Sequence, residues 1–163
     1  MIIRLKNKDK LIANDFIFKC CIGRKGLNKH KIEGDNCTPK GTFKIGDVYY
    51  RSDRVKKPIT NLKCIKIKKK MGWCNNSLDK YYNKLVIIKK NLKAEKLYRR
   101  DYKYNYFIDI KYNSKKVKPF RGSAIFIHLT NDYKPTAGCL ALKEKDFLIL
   151  LKIINKKSKI SIH

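Results

Sequence analysis

The chain of 163 residues has few acidic residues and lacks long apolar runs. It contains 13 Asp and Glu against 41 Lys and Arg, a formal net charge of +28. No stretch approaches the roughly 20 apolar residues of a membrane-spanning helix. Lys and Asp interrupt the amino terminus repeatedly, so no signal peptide is visible. With no linker, repeat or low-complexity segment, the sequence predicts one soluble domain over residues 1–163.

The scarcity of acidic residues first suggests a protein that binds anionic polymers. A basic surface of this strength attracts nucleic acid and other anionic polymers. However, Arg, whose forked guanidinium suits phosphates and bases, is scarce beside Lys. Lys, Ile and Asn are also the residues that an AT-rich coding sequence favours, which gives the charge a compositional explanation. We therefore expect no specific nucleic-acid partner, and keep a basic binding protein for nucleic acid or another anionic polymer as an alternative hypothesis.

Six cysteines are present, but none of them form a CxxC pair. Paired cysteines at that spacing are typical of structural zinc sites, so we expect no metal and no cofactor. Most of these thiols are expected to be inert, in the core or in loops. The six are Cys20, Cys21, Cys37, Cys64, Cys74 and Cys139.

Short β-branched and aromatic runs predict a mainly β fold. The predicted strands cover residues 1–5, 11–22, 42–51, 62–69, 85–88, 104–112, 122–129, 139–142 and 160–162. Residues 25–41 and 70–83 are predicted as loops. A short amphipathic helix is predicted near the carboxyl end from the i, i+3, i+4 and i+7 spacing of Phe147, Leu150, Leu151 and Ile154.

One histidine and one cysteine are placed so that they can meet. His128 ends a predicted strand, and Cys139 begins the next one after a polar turn. If the two strands flank this turn, the imidazole can take the thiol proton, as a general base does for a cysteine nucleophile. Gly138 allows a tight bend and leaves the amides of residues 138 and 139 free to stabilise an oxyanion. On spacing alone, an inert thiol and a structural histidine are the alternative.

The residues around this pair resemble a known family. His128 followed by Thr136-Ala137-Gly138-Cys139-Leu140 is similar to the signature of YkuD-type L,D-transpeptidases. Upstream, Thr38-Pro39-Lys40-Gly41-Thr42-Phe43 matches that family's TPxGxF segment. Further segments resemble a compact, single-domain proteobacterial branch: Glu33-Gly34-Asp35, Gly72-Trp73-Cys74, Tyr82-Asn83 and residues 121–126. The resemblance covers nearly the whole chain in the right order.

The resemblance implies a β-sandwich of mixed sheets that carries out acyl transfer on peptidoglycan. Cys139 would attack the bond between the L-centre of a diamino acid and the terminal D-alanine of a stem tetrapeptide, forming a thioester. His128 would act first as base and then as acid for the leaving D-alanine. A diamino-acid amine would resolve the thioester into a cross-link, and water would give carboxypeptidase activity. The resemblance also implies acylation by carbapenems, and we expect a monomer.

Further residues are candidates for substrate binding. Thr136 and Ser123 lie within the matching segments and are expected to line the site. Arg121, or a nearby Lys, is a hypothetical partner for a substrate carboxylate. Trp73 is first interpreted as a packing anchor, and a place in the substrate wall is the alternative.

Two positions depart from the commoner family pattern. Leu129 stands where that pattern has Gly after the histidine, and Ala141 stands where it has Arg two residues after the cysteine. The missing Arg weakens the expected carboxylate clamp, and it leaves a catalytically degenerate muropeptide binder as a second alternative. The family works in the cell envelope or periplasm, whereas no signal peptide is visible here, so a cytoplasmic location stays open.

Overall fold

The structure is a computed structural model that describes residues 1–90 and 92–163. Its helix is α1 (Glu144–Ile153). Its strands, in chain order, are β1 (Ile2–Lys6), β2 (Lys10–Ala13), β3 (Phe16–Cys21), β4 (Leu27–Asn28), β5 (Thr38–Pro39), β6 (Gly41–Tyr50), β7 (Cys64–Lys66), β8 (Met71–Cys74), β9 (Leu85–Ile87), β10 (Ala94–Lys96), β11 (Tyr106–Ile110), β12 (Phe126–Leu129), β13 (Leu140–Leu142) and β14 (Lys159–Ile162).

The main sheet has nine strands in the order β11-β12-β13-β3-β2-β1-β14-β6-β7. Because β11 also pairs with β6, the sheet closes on itself and β7 extends from the closed ring. The pairs β12–β13, β1–β14 and β6–β7 are parallel, and the other pairs are antiparallel. The predicted mainly β architecture with mixed sheets is confirmed.

The carboxyl-terminal helix follows the predicted pattern. Phe147, Leu150 and Leu151 on one face of α1 are fully buried and belong to the main apolar cluster. Acidic residues in the first turn and Lys152 in the last turn suit the helix dipole. This face therefore anchors α1 on the same core that β12 and β13 enclose.

A second cluster, largely aromatic, covers the other face of β11 and β12. The rings of Phe107 and Phe126 lie 4.5 Å apart, and Trp73 meets Phe126 edge-on at 5.1 Å. Trp73 comes from a small sheet of order β10-β8-β9. This cluster packs beneath the candidate site described below and supports it.

Several predicted elements are shorter than expected or wrong. The prediction of a loop over residues 70–83 is wrong, because these residues contain β8. Burial of Trp73 stabilises a strand here, although the residues that follow it are polar. The predicted strand 11–22 is divided by a turn in which Asn14 has φ 51°. β12 begins only at Phe126, because left-handed backbone at Gly122 (φ 94°) and Ala124 (φ 52°) does not fit a strand.

Candidate active site

The parallel pairing of β12 with β13 brings His128 and Cys139 to one wall of a cavity. His128 is the register partner of Ala141, and Cys139 lies just before β13. The Phe126 amide donates a hydrogen bond to Cys139 Sγ at 3.4 Å, which fixes the sulfur beside β12. Both side chains line a cavity of about 360 Å³. The two residues predicted to meet therefore share one solvent-accessible space.

The Cys139 thiol is protonated in this resting arrangement. It donates a hydrogen bond to the Ala124 carbonyl at 3.3 Å. Burial, and to a smaller extent the nearby Glu95 carboxylate, raise the pKa of Cys139 to about 12. Lys31 and Arg99 favour the thiolate and oppose part of this effect. A thiol with such a pKa needs a base at the moment of reaction.

His128 is a neutral imidazole at neutral pH, with one nitrogen available as a base. Its Nδ1 lies 2.9 Å from the Leu129 carbonyl oxygen, and because a carbonyl can only accept, Nδ1 carries the proton. Nε2 is then the basic nitrogen. Burial lowers the pKa of His128 to about 4. The Tyr104 ring packs edge-on against the imidazole at 5.5 Å.

The loop before Cys139 is held by hydrogen bonds to both of its sides. Thr38 Oγ1 donates to the Gly138 carbonyl at 2.8 Å, and Thr136 Oγ1 donates to the Cys139 carbonyl at 2.6 Å. The Gly138 amide donates to Thr136 Oγ1 at 3.1 Å, so the expectation that this amide is free is wrong. The small Thr136 side chain folds back over the turn, and its hydroxyl group accepts the hydrogen bond of the Gly138 amide. The Cys139 amide is therefore left as the candidate oxyanion donor.

Comparison with protein families decides the identity of this domain. A family model for the YkuD L,D-transpeptidase catalytic domain matches residues 3–162. The chain belongs to this family. Members of the family are cysteine-dependent transpeptidases associated with peptidoglycan, and the resemblance expected from the sequence is confirmed.

One solved structure similar to this L,D-transpeptidase domain is the crystal structure of the helical cell shape determining protein Pgp2 from Campylobacter jejuni. The TM-score is 0.54 at 18% sequence identity, so the likeness shows a shared fold. The match covers 99% of this chain and 46% of the Pgp2 chain. The domain thus spans less than half the length of that neighbour. Comparison with curated proteins gives no match.

Five of the predicted site residues line the cavity of the L,D-transpeptidase domain. They are Ser123, His128, Thr136, Gly138 and Cys139. Within residues 1–90 and 92–163, no group of three or more His, Cys, Asp or Glu side chains is placed to hold a metal ion. In the same residues, no helix is long and apolar enough to cross a membrane.

The other two predicted site residues lie outside the cavity lining. The Arg121 side chain is exposed on the surface. Trp73 is buried beneath the site, and its Nε1 donates to Asn83 Oδ1 at 2.9 Å. Asn83 Oδ1 also accepts from the Ala124 amide at 3.0 Å, and Ala124 is the residue whose carbonyl holds the Cys139 thiol. Trp73 therefore holds the Cys139 thiol in position indirectly, through Asn83 and Ala124.

Sequence reasoning missed two side chains that lie beside the candidate pair His128 and Cys139. Glu95 and Tyr104 both line the cavity, and the Tyr104 hydroxyl donates a hydrogen bond to the Glu95 carboxylate. A signal was present, because Glu95 is the only acidic residue between residues 81 and 100. A lone acid in so basic a segment suggests a specific environment.

Substitution of Gly138 by Ala is expected to lower the free energy of unfolding by about 2–5 kcal/mol, the sum of backbone strain and a steric clash. Gly138 has φ +141°, and an added Cβ would lie 2.8 Å from the Cys37 carbonyl oxygen. The matched control is Gly26→Ala, at φ +79° with no atom within 4 Å, for which about 1–2 kcal/mol is expected. Urea denaturation measures both, and equal losses would contradict the clash.

Proposed function

We propose that the domain is a peptidoglycan L,D-transpeptidase with Cys139 as nucleophile and His128 as general base. The observation that carries the proposal is the shared cavity wall, with the imidazole fixed through Nδ1 and its second nitrogen available. The family implies a peptidoglycan substrate, and we propose that it is a stem tetrapeptide that ends in D-alanine. The cell envelope is the location that this substrate implies.

The first half of the reaction transfers an acyl group to sulfur. His128 Nε2 takes the thiol proton while Cys139 Sγ attacks the carbonyl of the L,D bond. The Cys139 amide stabilises the oxyanion that forms. Collapse of the tetrahedral intermediate breaks the carbon–nitrogen bond, His128 returns the proton to the leaving amine, and D-alanine departs. A thioester between Cys139 and the shortened stem remains.

The second half releases the enzyme. A diamino-acid amine of another stem attacks the thioester, His128 accepts its proton, and the Cys139 thiolate that leaves takes that proton back. Water in place of the amine gives a free tripeptide stem, which is carboxypeptidase activity. Since burial keeps the imidazole neutral and the thiol protonated at rest, proton transfer accompanies attack and no resting ion pair is required.

Other cavity residues are proposed to hold the substrate. Thr136 and Ser123 offer hydroxyl groups on the cavity wall. Arg24 also lines the cavity, and its amide donates to the Thr136 carbonyl at 2.9 Å, beside the reactive loop. We propose Arg24 as the partner of a substrate carboxylate, in the role first suggested for Arg121.

Labelling by a carbapenem tests the nucleophile. Wild-type protein is expected to gain one carbapenem mass on intact-protein mass spectrometry, because the β-lactam carbonyl acylates the same sulfur. Cys139→Ala is expected to show no adduct. Cys64→Ala is the matched control, since Cys64 is also a free and partly exposed thiol, and it should label like wild type. A folded wild-type protein that never labels would contradict the proposal.

Digestion of sacculi rich in tetrapeptide stems tests the substrate. We expect loss of D-alanine together with cross-linked or tripeptide products, which muropeptide analysis distinguishes. Carbapenem labelling without any such products would instead support a muropeptide binder that does not turn over. The position of Ala141, where the commoner pattern has Arg, is the observation that favours this second candidate function.

A further inference from the structure

A buried lysine lies beside the loop that precedes Cys139. Lysine is rarely buried in proteins, yet Lys31 is buried here, and it lines the cavity that His128 and Cys139 share. Lys31 Nζ donates a hydrogen bond to Asp35 Oδ1 at 2.7 Å. Because burial of an unpaired ammonium group is unfavourable, this ion pair is what allows the charge to lie in the interior.

Two glycines make room for the Lys31 side chain. A Cβ at Gly122 would lie 2.8 Å from Lys31 Cε and 3.1 Å from Cδ, so a residue with a Cβ would collide with these methylene groups. A Cβ at Gly138, the residue before Cys139, would lie 3.4 Å from Lys31 Nζ. The aliphatic stem of Lys31 therefore packs on Gly122, and its ammonium group lies against the turn that carries the candidate nucleophile.

Asp35 fixes the ammonium group in this position. Its carboxylate also accepts hydrogen bonds from the Cys37 amide at 2.9 Å and from the Ile32 amide at 3.0 Å. Burial acts to raise the pKa of Asp35, but these hydrogen bonds and the one from Lys31 outweigh it, and the pKa is lowered. Asp35 is thus ionised at neutral pH and holds Lys31 Nζ beside Gly138.

The Lys31 ammonium group has more donors than the fold uses. It carries three N–H groups, and in residues 1–90 and 92–163 its hydrogen-bond acceptor is Asp35 alone. Buried donors normally find partners, and this side chain is only 4% exposed. Since Lys31 lines the cavity, its remaining donors are available to a group that binds there.

The proposed reaction needs a donor at this place. The Gly138 amide is occupied by Thr136 Oγ1, which leaves the Cys139 amide as the backbone donor to an oxyanion. A buried positive charge stabilises an oxyanion more strongly than a second neutral amide, because a charge-assisted hydrogen bond in a site that excludes water is little screened. Burial raises the pKa of Cys139, and Lys31 is one of the charges that act against this rise.

We propose that Lys31 is a further catalytic residue, whose ammonium group donates a hydrogen bond to the oxyanion that forms when Cys139 attacks the substrate carbonyl. The inference rests on the proposed function and deepens it. The proton stays on Lys31 Nζ throughout, so no covalent bond to Lys31 forms or breaks. When the tetrahedral intermediate collapses, the carbonyl is restored and this hydrogen bond weakens.

A comparison of two thiol reagents tests this role. A carbapenem acylates Cys139 through an oxyanion, whereas iodoacetamide alkylates the same sulfur by displacement of iodide and forms no oxyanion. Lys31→Met nearly keeps the length of the side chain and removes its charge, and we expect acylation about 10²–10³-fold slower, the range for loss of one oxyanion donor. Alkylation of Cys139, measured by peptide mass mapping, should slow by less than about tenfold, because only the effect of Lys31 on the thiolate is lost.

The matched control is Lys29→Met, an exposed lysine in the same loop, which should react like wild type with both reagents. Lys31→Gln, which retains a neutral donor for Asp35, is the second variant and should also slow acylation more than alkylation.

Equal slowing with the two reagents, an unchanged acylation rate, or failure of both Lys31 variants to fold would assign Lys31 a structural role and overturn the proposal. Equal acylation of wild type and Lys31→Met would reject the role of Lys31 and keep the proposed function. Wild-type protein that is alkylated at Cys139 but never acylated would reject both.

Discussion

His128→Asn is expected to slow acylation of Cys139 by about 10⁴-fold at pH 7, the upper end for loss of a general base. With the pKa of Cys139 raised to about 12, roughly 10⁻⁵ of the thiol is ionised at pH 7 without help. Asn retains a side-chain donor for the Leu129 carbonyl that His128 Nδ1 contacts. The substitution therefore removes the base while it preserves much of the local packing.

The pH profile distinguishes a lost base from a distorted site. In His128→Asn, deprotonation depends on hydroxide, so the rate of carbapenem acylation should rise about tenfold per pH unit between pH 7 and 10. The wild-type rate should change far less over that range, because the imidazole is already neutral. His30→Asn, in an exposed loop, is the control and should follow wild type. Parallel profiles for His128→Asn and wild type would contradict a role as base.

Elements with a local signal could be predicted from the sequence. The helix face of Phe147, Leu150 and Leu151 needs only its own spacing, and α1 follows it. The strand that ends in His128 and the one after Cys139 are bounded by a polar turn, and both form, although the first is shorter than predicted. Their parallel pairing brings the two residues to one cavity wall, as the order of the chain suggested.

Elements whose strand character depends on distant partners could not be predicted. β8 and β10 are short strands that pair with each other, with Glu95 opposite Trp73. The packing of Trp73 on Phe126 stabilises this pair. Closure of the main sheet depends on β11, which pairs with two strands far apart in the chain. Such long-range contacts leave no periodic trace in a short segment.

The chemistry of the cavity was only partly visible for the same reason. The nucleophile and base lie 11 positions apart in the sequence. Glu33 and Glu95, by contrast, reach the cavity from a loop and from the small sheet. The segment around Glu33 resembles the family pattern, but the contact of Glu33 with Ser123 exists only in the folded chain.

Acidification is expected to destabilise the folded domain through His128 by about 3 kcal/mol between pH 6.5 and pH 4. Burial lowers the pKa of His128 from 6.5 to about 4, so in this window the unfolded chain binds a proton that the folded chain does not. The free energy of unfolding therefore falls as the pH falls, and the loss is complete below about pH 4. The side chain is only 7% exposed, so solvent screens little of this effect.

Comparison with His128→Asn isolates this contribution from the carboxylates that titrate in the same range. Their contributions differ in sign, because pairing with Lys31 lowers the pKa of Asp35 while burial raises that of Asp109. Urea denaturation at pH 7, 5.5 and 4 should show wild type losing about 3 kcal/mol more than His128→Asn, and His30→Asn should lose as much as wild type. The same pH dependence in His128→Asn and wild type would mean that folding does not lower the pKa of His128, which would contradict burial as the cause that keeps the imidazole neutral in the folded domain.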